Sequence, residues 1–211
     1  MTVTKITEIS KSRMKIEVDD EASFVLYKGE IRAFGIREGQ EIEEKAYREI
    51  MDETLPKRAK MRALYLLKGR AYTEAQLTDK LKAGGYPERV IEEAMAYVRS
   101  FGYINDKSYA LDFIEYNKES KSKKRIFMDL WRKGISGDIV EEAWEEAVDG
   151  AGEELAGELE KEQILRWIEK KNFCLQTATI KEKQRMTAFL YRKGFGADAI
   201  RNALLLDITS I

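Results

Sequence analysis

The sequence predicts a mainly α-helical protein, made of three tandem three-helix repeats in an elongated stack and preceded by a small β-rich extension at the N-terminus. Three observations predict this class: an internal repeat beyond residue 42, a change of residue pattern near that position, and a near-absence of proline. Only Pro56 and Pro87 occur in 211 residues, so long stretches contain no helix breaker. Charged residues make up 36% of the chain, against roughly 25% in an average domain, which suits amphipathic helices with a large solvated surface.

The N-terminal part is the β-rich extension, followed by a lead-in helix within residues 1–52. Residues 2–9, 14–18 and 23–27 are rich in β-branched and aromatic side chains. Met14, Ile16 and Val18 alternate with polar residues, which is the period of a half-buried strand. Asp19 and Asp20 suit a turn between two strands. We therefore expect a small antiparallel sheet here.

Beyond this extension, residues 75–95, 124–144 and 184–204 align with one another without gaps. Matching positions hold the same residue type: Leu81, Leu130 and Leu190 at one position, and Gly85, Gly134 and Gly194 four residues later. Leucines in register predict one buried face, and the glycines suit the left-handed residue that ends a helix. The repeat therefore predicts three copies of one helical unit.

Helix boundaries follow from local signals. Thr73 with Gln76 resembles a capping box, and Pro87 suits a first helical position. A further helix precedes each aligned pair, over about residues 57–68, 107–119 and 155–171. The predicted repeats therefore span residues 53–106, 107–150 and 151–211.

Several classes of function are disfavoured by composition. The chain has no histidine, which removes the usual general base and histidine-ligated metals, and Cys174 is its single cysteine. We therefore expect no enzyme activity, no metal and no cofactor. The net charge of -1 gives no global attraction to DNA or anionic lipid, and no apolar stretch is long enough to span a bilayer. The sequence thus favours a cytoplasmic protein without a membrane partner.

Two short segments resemble signatures of the RecX family. Residues 102–110 (GYINDKSYA) resemble its glycine, aromatic, aliphatic, acidic and alanine motif, and residues 129–135 (DLWRKGI) resemble its second signature. The segment LYRKGF at 190–195 is similar, and the resemblance spans roughly residues 57–206. The sequence departs from the usual family residues at four positions: Gln76, Asn105, Ser122 and Asp129.

This resemblance implies a regulator of DNA recombination, repair and the SOS response. Members lodge in the groove of the filament that RecA forms on DNA, bridge neighbouring subunits, and restrain ATP hydrolysis and strand exchange. It implies RecA as the partner and DNA as a weak contact, or one made only within the filament. We expect the chain to act as a monomer.

Basic residues of the second and third repeats are the candidate partner-binding site. They are Lys121, Lys123, Lys124, Arg125, Arg132, Lys133, Arg185, Arg192 and Lys193. They could meet acidic protein surface or DNA phosphates. They could equally form an ordinary solvated helix face, or pair within the chain with the acidic residues around 138–146. The three tryptophans are expected to pack inside the repeats, although Phe127 and Trp131 would anchor a partner if exposed.

A second function stays open. Three-helix units resemble helix-turn-helix domains, so the chain could be a stand-alone nucleic-acid-binding module. The near-neutral charge and the acidic helix around 138–147 count against it.

Overall fold

The computed structural model describes residues 1–20, 22–148 and 153–204, and it omits the side chains of residues 153–159. It confirms a mainly helical chain with a small N-terminal sheet. The chain divides into two compact units, unit 1 (Met1–Asn105) and unit 2 (Asp106–Ile211). No helix in the described ranges has both the length and the apolar character needed to cross a bilayer.

Unit 1 begins with the predicted antiparallel sheet. Its strands are β1 (Val3–Ser10), β2 (Arg13–Val18) and β3 (Ala22–Tyr27), in the order β1-β2-β3. Ile16 pairs with Ile6 on one side and with Phe24 on the other. The turn between β2 and β3 contains Asp19 and Asp20, both with positive φ, which short polar side chains tolerate better than most.

The outer edge of β1 is closed by the segment around residues 38–41. Val3 donates its N–H to the Gln40 carbonyl and accepts from the Gly39 N–H, both at 2.9 Å. The Glu38 carboxylate accepts from the Ile6 N–H at 2.9 Å. An edge whose backbone groups are already paired is a poor template for another strand.

The helices of unit 1 pack against this sheet. They are α1 (Lys28–Ala33), α2 (Glu44–Glu49), α3 (Leu55–Gly69), α4 (Glu74–Lys82) and α5 (Glu88–Ser100), with a π-helical turn at Ile50–Thr54 joining α2 to α3. Ile16, Phe24 and Leu26 of the sheet share one buried cluster with Leu55 and Leu77 of the helices. Helices and sheet therefore have a common core.

The described residues of unit 2 form six helices in two groups of three. They are α6 (Asp106–Asn117), α7 (Lys123–Trp131), α8 (Gly137–Ala147), α9 (Glu153–Lys170), α10 (Ile180–Arg192) and α11 (Ala197–Ala203). Ile114, Ile126 and Val140 belong to a hydrophobic cluster of α6, α7 and α8. Ile164 and Ile200 belong to a second cluster, formed by α9, α10 and α11.

The aligned positions of the internal repeat have the structure predicted for them. Leu81, Leu130 and Leu190 are all 0% exposed, and Gly85, Gly134 and Gly194 have φ of +79°, +87° and +91°. The Thr73 hydroxyl accepts from the Gln76 N–H at 3.2 Å, as expected of an N-cap. Pro87 is one position earlier than predicted: it is the N-cap residue of α5, which begins at Glu88.

Candidate functional site

The start of α7 and the end of α10 meet within unit 2. The buried Ser122 caps α7 by accepting from the Arg125 N–H at 3.3 Å, and it donates its hydroxyl to the Lys193 carbonyl at 3.4 Å. A Cβ on Gly194 would lie 2.6 Å from Ser122 Oγ and 2.8 Å from Arg125 Cβ. The structure therefore brings together predicted site residues that are about 70 positions apart.

The loop before α7 is held in place by α9. The Gln163 side chain donates to the Lys118 carbonyl, and Trp167 Nε1 donates to the Ser120 carbonyl at 3.0 Å. Because Gln163 is buried, its bond is shielded from water. The loop that positions Lys118 and Lys121 is thus attached to the second group of helices.

A groove of about 1360 Å³ lies between the two groups. Its basic lining residues are Lys118, Lys123, Lys124, Arg125 and Arg192. Its apolar lining includes Phe127, Met128, Trp144, Tyr191 and Phe195. Of the nine predicted site residues, four line this groove: Lys123, Lys124, Arg125 and Arg192. Two carboxylates also line it: Glu141, which pairs with Lys123, and Glu160, which accepts from the Gly196 N–H. The cations outnumber these carboxylates, and together with the large apolar side chains they suit a partner with both acidic and apolar groups.

Lys193 lies beside the groove within a cluster of cations. Its pKa is lowered, first by burial and then by repulsion from Lys121, Lys170, Lys171 and Arg125. Its ammonium lies 4.2 Å from the centre of the Trp167 ring, a cation–π contact that compensates part of this cost. Such a cluster favours a bound anion, because the anion relieves the repulsion.

Lys170 and Lys171 belong to this cluster but were missed in the sequence. Lys170 is the last residue of the long helix α9 and Lys171 follows it, a place where cations commonly offset the helix dipole, so they showed no distinctive signal.

Several predicted cations pair within the chain. Lys121 and Arg125 both contact the Asp129 carboxylate, at 3.0 and 3.2 Å. Lys123 contacts Glu141 of the acidic helix α8 at 2.7 Å. The predicted pairing with the acidic residues around 138–146 is therefore observed for Lys123. Lys121 and Arg125 pair within the chain as well, but with Asp129 of α7 itself.

The other predicted cations are arranged differently. No ion pair involves Lys124, Arg132, Arg185 or Arg192 within the ranges that the structure describes. Lys133 lies over the rings of Tyr109 and Phe113, at 5.6 and 5.5 Å from their centres. Arg132, Lys133 and Arg185 do not line the groove. Lys124 and Arg192 are thus the groove cations whose charge is available to a partner.

The aromatic residues differ in part from expectation. The prediction that Trp131 packs inside its repeat is wrong, because its side chain is 72% exposed. Phe127 packs edge-on against Trp144 at 5.9 Å, on the groove. Tyr191, which occupies the register position of Trp131 in the last repeat, is 51% exposed and lines the groove. Tyr191 was missed, although its alignment with Trp131 could have indicated it.

Comparisons with known proteins match nearly the whole chain. Family models described as the first and third three-helix domains of RecX match residues 59–97 and 158–204. The "Regulatory protein RecX" of Caldanaerobacter subterraneus subsp. tengcongensis is 32% identical over 208 residues, which are 98% of this chain and 100% of the relative. That of Clostridioides difficile is 28% identical, over 96% of this chain and 93% of the relative.

Two crystal structures share the fold. One is of a regulatory protein RecX, with a TM-score of 0.58 and 22% identity over 98% of this chain and 99% of that one. The other is of RecX from Lactobacillus salivarius, with a TM-score of 0.55 and 22% identity over 72% of this chain and 96% of that one.

Proposed function

The chain belongs to the RecX family of regulatory proteins, and we propose that it binds the RecA–DNA filament and slows ATP hydrolysis and strand exchange by RecA. The single observation behind this proposal is the 32% identity to a regulatory protein RecX over nearly the full length of both chains. On this proposal the chain is a cytoplasmic monomer that acts by binding and performs no catalysis.

The groove of unit 2 is the proposed contact with the filament. Lys124 and Arg192, which have no ion pair in the described part of the chain, come from different repeats, so one partner segment in the groove would meet both. Because the net charge of the chain is -1, binding depends on this local surface and not on long-range attraction. The apolar residues beside the cations make the site more suitable for protein surface than for phosphates alone.

We propose that the chain contacts two neighbouring RecA subunits. Joining two weak contacts in one molecule raises affinity by about 10²–10⁴ without either contact being strong. A filament offers repeated protein surface that naked DNA lacks, which explains why the filament would be preferred.

Charge reversal of the groove tests this assignment. Lys124→Glu with Arg192→Glu should weaken filament binding by about ten- to hundredfold, because two charge-assisted contacts become repulsive. Both side chains are exposed and without an ion pair in the described ranges, so the melting temperature should change little. The matched control is Lys57→Glu with Lys68→Glu on α3, the same change of charge in unit 1. Equal losses from both pairs would refute a defined groove site.

The alternative, a stand-alone nucleic-acid-binding module, is favoured by one observation. Lys193, Lys170 and Lys171 lie at 4.2–5.7 Å from the rings of Trp167 and Phe189, a combination of cations and aromatic rings found in single-strand binders. A tight affinity for naked single-stranded DNA that falls steeply with salt, measured without RecA, would favour this alternative. Salt-insensitive or weak binding would exclude it.

A further inference from the structure

Unit 1 contains a second basic pocket, distant in sequence from the proposed filament contact. Its volume is about 410 Å³, within the range of small-ligand sites. Four cations line it, contributed by β2, α3 and α4: Arg13, Arg58, Arg62 and Lys80. Two tyrosines, Tyr27 and Tyr86, line it as well.

Part of this pocket is a fixed framework. Arg58 pairs with Glu30 at 2.7 Å and donates to the Val25 carbonyl of β3. Its guanidinium lies 4.8 Å from the centre of the Tyr27 ring and 5.6 Å from that of Tyr86. The charge of Arg58 is therefore neutralised, and its role in the pocket is to hold the two tyrosines.

The remaining three cations have no carboxylate partner among the residues that the structure describes. Arg13 donates to the Gly84 carbonyl at 2.6 Å, a bond that leaves its charge uncompensated. Arg62 and Lys80 are exposed, and neither has an ion pair in the described ranges. The Arg62 guanidinium lies 5.7 Å from the centre of the Tyr65 ring. Three cations thus line one small concavity, and a bound anion there would be attracted to them.

The chemistry of the pocket indicates which anion. Guanidinium groups present paired donors that match the oxygens of a phosphate. Tyr27, beside these cations, is 43% exposed and offers a ring against which a planar base can stack. A carboxylate-rich peptide would use the cations and leave this ring without a role. The combination favours a ligand with a phosphate and an aromatic base.

We propose that this pocket binds a nucleotide, with its phosphate on Arg62 and Lys80 and its base against Tyr27. The nucleotide is either free or one unit of a single strand. This site goes beyond the proposed function, since it lies wholly in unit 1 and its occupation requires no RecA.

Nuclear magnetic resonance of the ¹⁵N-labelled full chain tests the proposal. The probes are thymidine 5′-monophosphate, the dinucleotide pTpT, inorganic phosphate and a tetraglutamate peptide. Both nucleotides should cause saturable shifts at the amides of Tyr27, Arg62 and Gly84. Arg62→Gln with Lys80→Gln should weaken this binding about tenfold or more, since charged hydrogen bonds are lost. The control, Lys57→Gln with Lys68→Gln, removes the same charge from α3 outside the pocket and should leave the affinity unchanged.

The probes also separate the outcomes. Tighter binding of pTpT than of the monophosphate identifies a strand as the source of the nucleotide, and equal binding identifies the free nucleotide; both support the proposal. Inorganic phosphate binding as tightly as the nucleotides would overturn the role of the base. Tighter binding of tetraglutamate, or no shift at these amides, would overturn the site.

Discussion

Replacing Gly194 by alanine should destabilise unit 2 by about 2–5 kcal/mol, from two separate costs. Gly194 has φ of +91°, and a side chain in the left-handed region costs roughly 1–2 kcal/mol. The new Cβ would also lie 2.8 Å from Arg125 Cβ and 2.6 Å from Ser122 Oγ. Because both contacts belong to the start of α7, relief requires the helix to move, and overpacking of this kind adds about 1–3 kcal/mol.

Urea unfolding followed by tryptophan fluorescence measures this loss. All three tryptophans, Trp131, Trp144 and Trp167, lie in unit 2, so their signal reports that unit. Gly137→Ala is the control within unit 2: an added Cβ there meets nothing within 4 Å, and stability should be unchanged or slightly higher.

A second control isolates the backbone cost. Gly102 has φ of +67° and open space around its Cβ position, so Gly102→Ala should lose only about 1–2 kcal/mol, measured by circular dichroism. If Gly194→Ala lost no more than Gly102→Ala, the close approach of α7 and α10 would be refuted. The geometry of the groove would be refuted with it.

Three further substitutions test the core, a cap and an ion pair. Leu130→Ala, at a fully buried position, should cost about 2–5 kcal/mol in urea unfolding, and a loss below about 1 kcal/mol would contradict a packed core. Ser122→Ala should cost about 0.5–2 kcal/mol in the same assay, because it removes the cap on the Arg125 N–H, and an unchanged midpoint would contradict that role. The bidentate hydrogen bond from the Arg99 guanidinium to the Glu74 carboxylate lowers the pKa of Glu74. The stabilisation that this pairing gives the folded state is therefore fully present above about pH 4.3, the pKa of a glutamate in the unfolded chain. It is lost as the pH falls through the lower pKa that Glu74 has in the folded state. In Glu74→Gln, the free energy of unfolding should therefore fall less steeply with decreasing pH than in the unmodified chain. If the free energy of unfolding fell equally steeply in both proteins, this pairing would be contradicted.

Much of the fold could be predicted because it depends on patterns along the chain. The register of Leu81, Leu130 and Leu190 with their following glycines predicted the buried faces and helix ends of all three repeats, and each is observed. The alternation of Met14, Ile16 and Val18 likewise predicted the strand that they form. Periodicity of this kind needs no knowledge of which helix packs on which.

The candidate site could be predicted only in part, because it depends on packing between helices. The basic character of α7 and α10 was evident, but the pairing of Lys123 with Glu141 needs α8 to lie beside α7. The exposure of Trp131 likewise depends on which side of α7 meets its neighbours. The pocket of unit 1 collects residues from β2, β3, α3 and α4, so no spacing in the sequence indicated it.

The rate of ATP hydrolysis by RecA on single-stranded DNA, measured as the full chain is added, tests the proposed function most directly. Hydrolysis should slow at concentrations at which the chain binds naked DNA poorly. For the same inhibition, the Lys124→Glu, Arg192→Glu variant should require a protein concentration at least about tenfold higher than the unmodified chain. The Lys57→Glu, Lys68→Glu control should inhibit at the same concentration as the unmodified chain. An unchanged rate of hydrolysis at saturating concentrations of the unmodified chain would contradict the proposed function.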